Sequence, residues 1–360
     1  MSIHKYTLKS GTRWMVRYTH PDGTRTKKRG FTTKTAAKAW ETKQASDILT
    51  GKWVDETGGR KLIGDLGDEW VARQTHLKPS SLRSLTNVWR AKVRPQWGDR
   101  TLESVKHSEV ANWLANLSRR DGKPLGATTK RYAHQILNNI FKDAIRDRLI
   151  ADNPVSGIPL PTKKRAPKTY LTHKQLQDFA TECGDYETLI LVLGYCGLRW
   201  GEAIALTTDD IDLLRRRITI NKNAVWLDKK IHLGTPKTGE NRTVPLIKLV
   251  ADKLEKHMRD LTPGALVWTA PKGGYVPRPN AREGYWGRAI KETGIPRVTP
   301  HELRHTAASL AVQSGANVKA VQRMLGHSSA AMTLDVYADL FDEDLDALAE
   351  RLNAAAVPKM

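Results

Sequence analysis

This sequence predicts a mostly helical α+β chain in three successive parts, and three observations predict it. The first sixty residues alternate apolar and polar side chains around turn signals. The stretch from about Leu62 to Ile150 repeats its apolar residues at helical spacing. The remainder mixes short strand-like runs with helices.

In the first part, KYTLKSGTRWMVRYTH alternates across a Ser10-Gly11 turn, and PDGTRTKKRGFTT offers a second hairpin turn at Asp22-Gly23. The run TKTAAKAWETKQASDILTG comes next with a helical pattern whose apolar face is Ala36, Ala37, Trp40 and Ile48. A three-stranded sheet plus one helix is therefore expected over residues 1–57, with Arg13, Arg17, Arg25, Lys27, Lys28 and Arg29 on or beside its strands. Such side chains suit a polyanion, or simply guard sheet edges. Asp55 to Lys61, DETGGRK, is polar and glycine-containing and reads as a linker.

Residues 62–158 hold four helical runs: LIGDLGDEWVARQ, SSLRSLTNVWRAKVRPQW, SEVANWLANLSRR and ATTKRYAHQILNNIFKDAIRDRLI, with Ser80, Ser108 and Thr128 as candidate caps. Residues 159–172, PLPTKKRAPKTYLT, are kept extended by proline and solvated by lysine, so they form an interdomain linker. Lys163, Lys164 and Arg165 in it serve either as a plain spacer or as contacts to a nucleic-acid backbone.

The third part, residues 168–345, begins with a helix in LTHKQLQDFATEC capped at Thr172, then a buried helix in YETLILVLGYCG ending at Gly197. RRITINKN, KKIHLGT and NRTVPL are strand-like, and most of the chain beyond Pro300 is helical. The closing DLFDEDLDALAERLNAAA is an acidic amphipathic helix with Leu340, Phe341, Leu345, Leu348 and Leu352 as its stripe, leading into a tail over residues 346–360.

The chain of 360 residues is 39% hydrophobic, and its mean hydropathy of −0.51 fits a soluble globular protein. No apolar stretch approaches the roughly 18 residues of a membrane span, and no signal-like start is visible, so the cytoplasm or nucleoid is the expected location. Cys183 and Cys196 make neither a disulfide framework nor a four-ligand metal site and are expected to be buried thiols. The net charge of +21 favours a polyanionic partner, because neutralised phosphates release condensed counterions. It is shared along the chain: residues 1–60 contribute +8, residues 61–160 contribute +7 and the remainder +6, as expected of a protein that holds DNA with several modules, although charge alone also allows RNA or acidic lipid.

The chemistry concentrates in six residues: Arg199 in GLRWGEAIAL, Lys237 in TPKTGENRTVPL, His301 and Arg304 in HELRHTAAS, His327 in MLGHSS and Tyr337 in LDVYADL. Arginine's planar fork suits the oxygens of a phosphate. Glu202 stands where a carboxylate can orient Arg199. His301 and Arg304 share a helix face behind Pro300, and the free N–H groups of that helix start also favour an anion. Lysine is a proton reservoir at neutral pH, and Tyr337 is a nucleophile once cations favour its phenolate.

In order and local context these six resemble the tyrosine recombinases, the lambda-type phage integrase family. The resemblance implies a basic arm-binding sheet domain, a helical core-binding domain and a mixed catalytic domain. It implies a site-specific DNA recombinase, an integrase that cuts and rejoins DNA through a 3′-phosphotyrosine without metal, nucleotide or other cofactor. Arg199 and Arg304 would bind the phosphate and His301 would act on the tyrosine hydroxyl. His327 would donate to the phosphate, while Lys237, with Lys229 and Lys230 as substitutes, would protonate the leaving 5′ oxygen. His305 lies outside the family pattern and reads as structural. The implied partners are double-stranded DNA at core-type and arm-type sites, three further copies in a homotetramer, a host DNA-bending protein and an excisionase, in a bacterial cytoplasm. The tail would contact a neighbouring protomer, or else pack on its own domain. A type IB topoisomerase, a Xer-type resolvase and a catalytically silent DNA-binding regulator are the alternatives.

Overall fold

The structure is a computed structural model that describes all residues except 22, 52, 56, 120, 163–167, 228–229, 237–240, 343–348, 351, 354–355 and 357–360, and only the backbone of 338–342. The chain divides into two compact units, Met1–Lys164 and Arg165–Met360, the division falling inside the proline-rich segment. Among the described residues no helix is long and apolar enough to cross a membrane.

The first unit opens with an antiparallel sheet of β1 (Ser2–Leu8), β2 (Gly11–Thr19) and β3 (Arg25–Phe31) in that order, followed by α1 (Lys34–Leu49). Strand alternation turns Val16 and Tyr18 inward, where Tyr18 meets Trp40 of α1 edge-on at 5.1 Å. Of the expected apolar face of α1, Ala37 is buried and Trp40 and Ile48 are half-buried, but Ala36 is exposed and buried Glu41 and Gln44 share the inner face.

Next come α2 (Ile63–Ala72), α3 (Pro79–Val88), a π-helical turn at Trp89–Val93, α4 (Arg94–Trp97), α5 (His107–Asn116) and α6 (Ala127–Arg146). The π turn has a cause: Pro95 cannot donate to a carbonyl four residues back and its ring crowds that turn, so the helix widens just before it. Trp89 then lies over Gly67, where an added Cβ would fall 2.1 Å from the indole. The caps differ from expectation. Helix α3 starts at Pro79, whose missing N–H is harmless there, which puts Ser80 in the first turn. Helices α5 and α6 start after Lys106 and Gly126, so Ser108 and Thr128 also fall inside. At α5, Glu109 Oε2 reaches back to accept from the Lys106 N–H at 3.0 Å.

The second unit starts with α7 (His173–Glu182), capped as expected by Thr172, whose hydroxyl accepts from the Gln175 N–H at 3.2 Å. Helix α8 (Glu187–Cys196) is apolar on every side and forms the centre of the core, with Leu189, Ile190, Leu191, Val192 and Leu193 at most 1% exposed. It ends at Gly197 and leads into the short α9 (Trp200–Ala203). Strands β4 (Ile211–Asp212), β5 (Arg217–Ile220) and β8 (Arg242–Pro245) make one antiparallel sheet in the order β4-β5-β8. Strands β6 (Asn223–Leu227) and β7 (Lys230–Gly234) pair separately as a hairpin. Helices α10 (Lys248–Met258), α11 (Gly284–Thr293), α12 (Pro300–Gln313), α13 (Val318–Leu325) and α14 (Ala330–Asp342) complete the unit, with α12 packed on α8, α13 and α14. Cys183 and Cys196 are buried free thiols, each pushed up to about 12 by burial. In the acidic stripe, Leu345, Leu348 and the side chains of Leu340 and Phe341 lie outside the described residues, and Leu352 is 61% exposed.

Candidate active site

The second unit gathers three arginines where α8, α12 and α13 end or begin. Helix α8 stops because Gly197 adopts a left-handed conformation (φ 67°), which turns its carbonyl toward α12. Arg304 of α12, 2% exposed, donates to that carbonyl from Nη1 at 2.6 Å and to the Leu325 carbonyl from Nη2 at 2.5 Å. Helix α13 stops in the same way at Gly326 (φ 63°), and the Gly326 carbonyl accepts from Arg199 Nη2 at 3.3 Å. Three helix-end carbonyls, those of Gly197, Leu325 and Gly326, thus fix the two arginines that the sequence proposed.

Between them sits Glu202, completely buried, the third residue of the turn that Arg199 starts. Its Oε1 accepts from Arg199 Nη1 at 2.7 Å and its Oε2 from the Arg199 backbone N–H at 2.8 Å. Burial alone would push this carboxyl up. Hydrogen bonding and charge from Arg242, then the charge of Arg199, bring it below the usual carboxylate value. Arg242 is a participant that the sequence reading missed. Strand period was the available signal, since Arg242 lies two residues before buried Val244 and so faces inward with it.

Tyr337 lies on the other flank, 1% exposed, packed among Ala308, Val312, Val321 and Leu325. Helix α14 kinks there, with φ −127° and ψ 16° at Tyr337. The phenol hydroxyl lies 2.7 Å from Nδ1 of His305, the His327 ring stacks on the tyrosine at 6.3 Å, and Lys168 Nζ sits 5.4 Å from the ring centroid. Burial pushes the phenol up, partly offset by the Arg304 charge. His305 is pulled down to about 4, first by burial and then by His301, Lys168 and Arg304. His327 is likewise pulled down to about 4 by burial and by Arg304, Arg199 and Arg242. Both rings are therefore neutral at pH 7. Arg304, lowered to about 9 by burial and by Arg199, stays charged.

The structure thus brings Arg199, Glu202, Arg304, His327 and Tyr337 together. It differs from the sequence reading over the histidines: His305, read as structural, takes the tyrosine hydroxyl that was expected at His301. Both project from one face of α12, four residues apart, but His305 is the one that reaches α14. His301 stands at the exposed rim, its ring 4.6 Å from that of His305, and is lowered by lost solvation and by Arg304, Arg278 and Arg199. The adjacency in LRHT was the overlooked signal. Lys237 and Lys229 lie outside the described residues, and Lys230 is exposed at the start of β7. A cavity of about 470 Å³ opens beside the arginines, lined by Asn241, Arg242, Lys319, Arg323 and His327 among others.

In the first unit, Arg17, Arg25 and Lys27 line a groove of about 610 Å³ at the sheet, with Arg17 directly opposite Lys27 in the β2–β3 register. Lys28 is opposite Val16, on the inner face, Arg13 donates to the Thr12 carbonyl, and Arg29 lies over the Tyr6 ring. Lys163, Lys164 and Arg165 lie outside the described residues.

Residues 169–344 match the sequence model of the phage integrase family. The transposase of transposon Tn916 from Enterococcus faecalis is 28% identical over 341 residues, covering 85% of this chain and 80% of the relative. The integrase of Mycobacterium phage D29 is 25% identical over 326 residues, covering 85% of this chain and 84% of the relative. Among solved structures, the Tn1549 transposon integrase in complex with transposon right end DNA superposes with a TM-score of 0.68 at 23% identity, over 80% of this chain and 100% of that one.

Proposed function

We propose that the chain is a site-specific recombinase of the phage integrase family, whose sequence model matches residues 169–344, and that it breaks and rejoins duplex DNA through a 3′-phosphotyrosine on Tyr337. The observation that carries this reading is the Tyr337 hydroxyl, 2.7 Å from an imidazole on the same helix that carries Arg304.

Each residue has a task in that reaction. Neutral His305, with its proton on Nε2, accepts the phenol proton at Nδ1 as the Tyr337 oxygen bonds to phosphorus. Arg199 and Arg304 hold the non-bridging oxygens, since the two bonds described for each guanidinium leave most of its five N–H donors for a phosphate. His327 Nδ1 lies 3.0 Å from the Thr333 hydroxyl, which as donor leaves the Nε2 proton of His327 to point at the phosphate. The P–O5′ bond breaks, and Lys237 supplies the proton to the departing oxygen. A 5′-hydroxyl of the exchanged strand reverses each step, so the energy of the broken bond is retained in the phosphotyrosine. Because Tyr337 is buried, its segment must swing outward to meet DNA, and the kink in α14 is the natural hinge.

The first sheet supplies arm-type DNA contacts through Arg17, Arg25 and Lys27, and the substrate is the junction of a phage or other mobile element with its host. The working form is a homotetramer, assisted by a host DNA-bending protein and an excisionase. The topoisomerase, resolvase and silent-regulator alternatives gain no support from the comparisons.

The test uses nicked duplexes with a randomised core, incubated with the protein and captured as detergent-resistant adducts. Wild type should enrich a core sequence and Tyr337→Phe should yield no adduct. An adduct that survives in Tyr337→Phe removes the nucleophile, and the absence of any enriched sequence with wild type removes site-specific cleavage.

A further inference from the structure

We propose that Arg242 is a positioning residue that keeps Arg199 available to the phosphate by engaging the carboxylate of Glu202 in its place. The DNA arm of this inference rests on the recombinase reading above.

Glu202 is fully buried and has two arginines competing for two oxygens. Arg242 takes the forked position, with Nη2 on Oε2 at 2.7 Å and Nη1 on Oε1 at 3.1 Å. Arg199 brings a single guanidinium nitrogen to Oε1. A bidentate arginine–carboxylate pair is stronger and more rigid than a single contact, so Glu202 is committed to Arg242 first. With Arg242 gone, the fork position on Glu202 falls to Arg199. That guanidinium would rotate inward and form a closed neutral pair, with fewer N–H groups left for an incoming anion.

Arg242 has the features of a support, not of a ligand-binding group. Its side chain is 9% exposed against 23% for Arg199. Its Nε donates to the Met324 carbonyl at 3.1 Å, which ties β8 to the last turn of α13, just before His327. The turn itself is built around it, because a Cβ on Gly326 would fall 2.8 Å from Arg242 Cδ. One guanidinium therefore sets the orientation of Arg199 through Glu202 and the height of Gly326 and His327 through Met324.

The experiment compares wild type, Arg242→Gln, Arg242→Lys and the double variant Arg242→Gln with Glu202→Gln. The rate of adduct formation is read in a single turnover on the captured core duplex, alongside the equilibrium affinity for that duplex. Arg242→Gln should slow adduct formation by roughly 10²-fold, the scale of losing one preorganised donor, while affinity changes less than about threefold. Arg242→Lys, which keeps the charge without the fork, should fall between wild type and Arg242→Gln. The double variant should recover at least about tenfold over Arg242→Gln, because an uncharged residue 202 no longer draws Arg199 inward. A merely structural role predicts the opposite, with the second substitution adding to the damage. A second readout needs no DNA: titration of orthophosphate while observing the Arg199 side-chain N–H signals. Wild type should respond, Arg242→Gln should respond weakly, and the double variant should respond again. If Arg242→Gln does not fold, Arg242→Lys carries both readouts. Wild-type rates in Arg242→Gln, or no recovery in the double variant, overturn the inference. A wild type that forms no adduct yet shows the Arg242-dependent phosphate response leaves the inference standing and removes the recombinase reading.

Discussion

The two units of this chain use arginine in opposite ways. On the first sheet, Arg17 and Arg25 are exposed, and Arg17 faces Lys27 directly across the strands, an arrangement slightly unfavourable by itself. In the second unit, Arg304 is buried and Arg242 largely so, and every described bond they make ends on a backbone carbonyl or on Glu202. A net charge counts the two groups alike. Their physics differs. Exposed cations act through screened, roughly additive attraction that weakens with salt. Buried cations act through geometry, where losing one partner strands another.

The strongest way to break this contrast is Arg304→Ala. It removes a proposed phosphate donor and leaves the Gly197 and Leu325 carbonyls without their partner. Adduct formation should fall by roughly 10³-fold, and stability by about 1–3 kcal/mol, measured by denaturant unfolding. If Arg304→Ala costs no more than an exposed arginine, buried geometry is not what matters. His305→Ala comes next and should slow cleavage roughly 10²-fold, more than His301→Ala, which loses no bond to the phenol. The reverse ranking in single-turnover assays would return the proton-accepting role to His301.

Acidification probes the buried side alone. His305 and His327 are each pulled down to about 4, burial being the first cause and neighbouring cations the second. The unfolded chain, with histidines near about 6.5, takes up protons that the fold refuses. Stability contributed by the neutral rings is therefore intact above about pH 6.5 and is lost as the pH falls toward 4. Melting temperature should decline across that window and decline less in His327→Asn. An equal decline in both would mean that the ring is not held neutral. The smallest effect belongs to the sheet. Replacing Arg17 and Lys27 together by Ala should reduce the slope of log affinity against log salt by about 2 while leaving the saturating adduct rate unchanged. A changed adduct rate would blur the distinction between the units.

The sequence was readable where a signal was local. The Ser10-Gly11 hairpin, the apolar run of α8 and the glycine ends at Gly197 and Gly326 come from backbone rules that need few neighbours. The start of α5 was misread because its cap position is Lys106, which has no side-chain acceptor, and the bond that marks the start is Glu109 reaching back to the Lys106 N–H. The differences between the site and its sequence reading have one cause. Arg242 and His305 are defined by partners distant in sequence, Glu202 at 40 residues and Tyr337 at 32, and no local pattern ranks one basic side chain above its neighbour. His301 and His305 are equivalent on a helical wheel, and only the arrival of α14 separates them.

The use of helix-end carbonyls to hold Arg199, Arg304 and Arg242 has an electrical consequence. Carbonyls orient a guanidinium without cancelling its charge, and Glu202 is the single carboxylate bonded to the trio among the described residues. With His305 and His327 neutral, the cluster keeps a formal surplus of two positive charges. A phosphodiester carries one negative charge, and once a phenolate has added to phosphorus the five-coordinate species carries two. In the proposed reaction the Tyr337 proton has by then passed to His305, so the cluster holds three positive charges against those two negative ones, and its attraction grows as the reaction climbs.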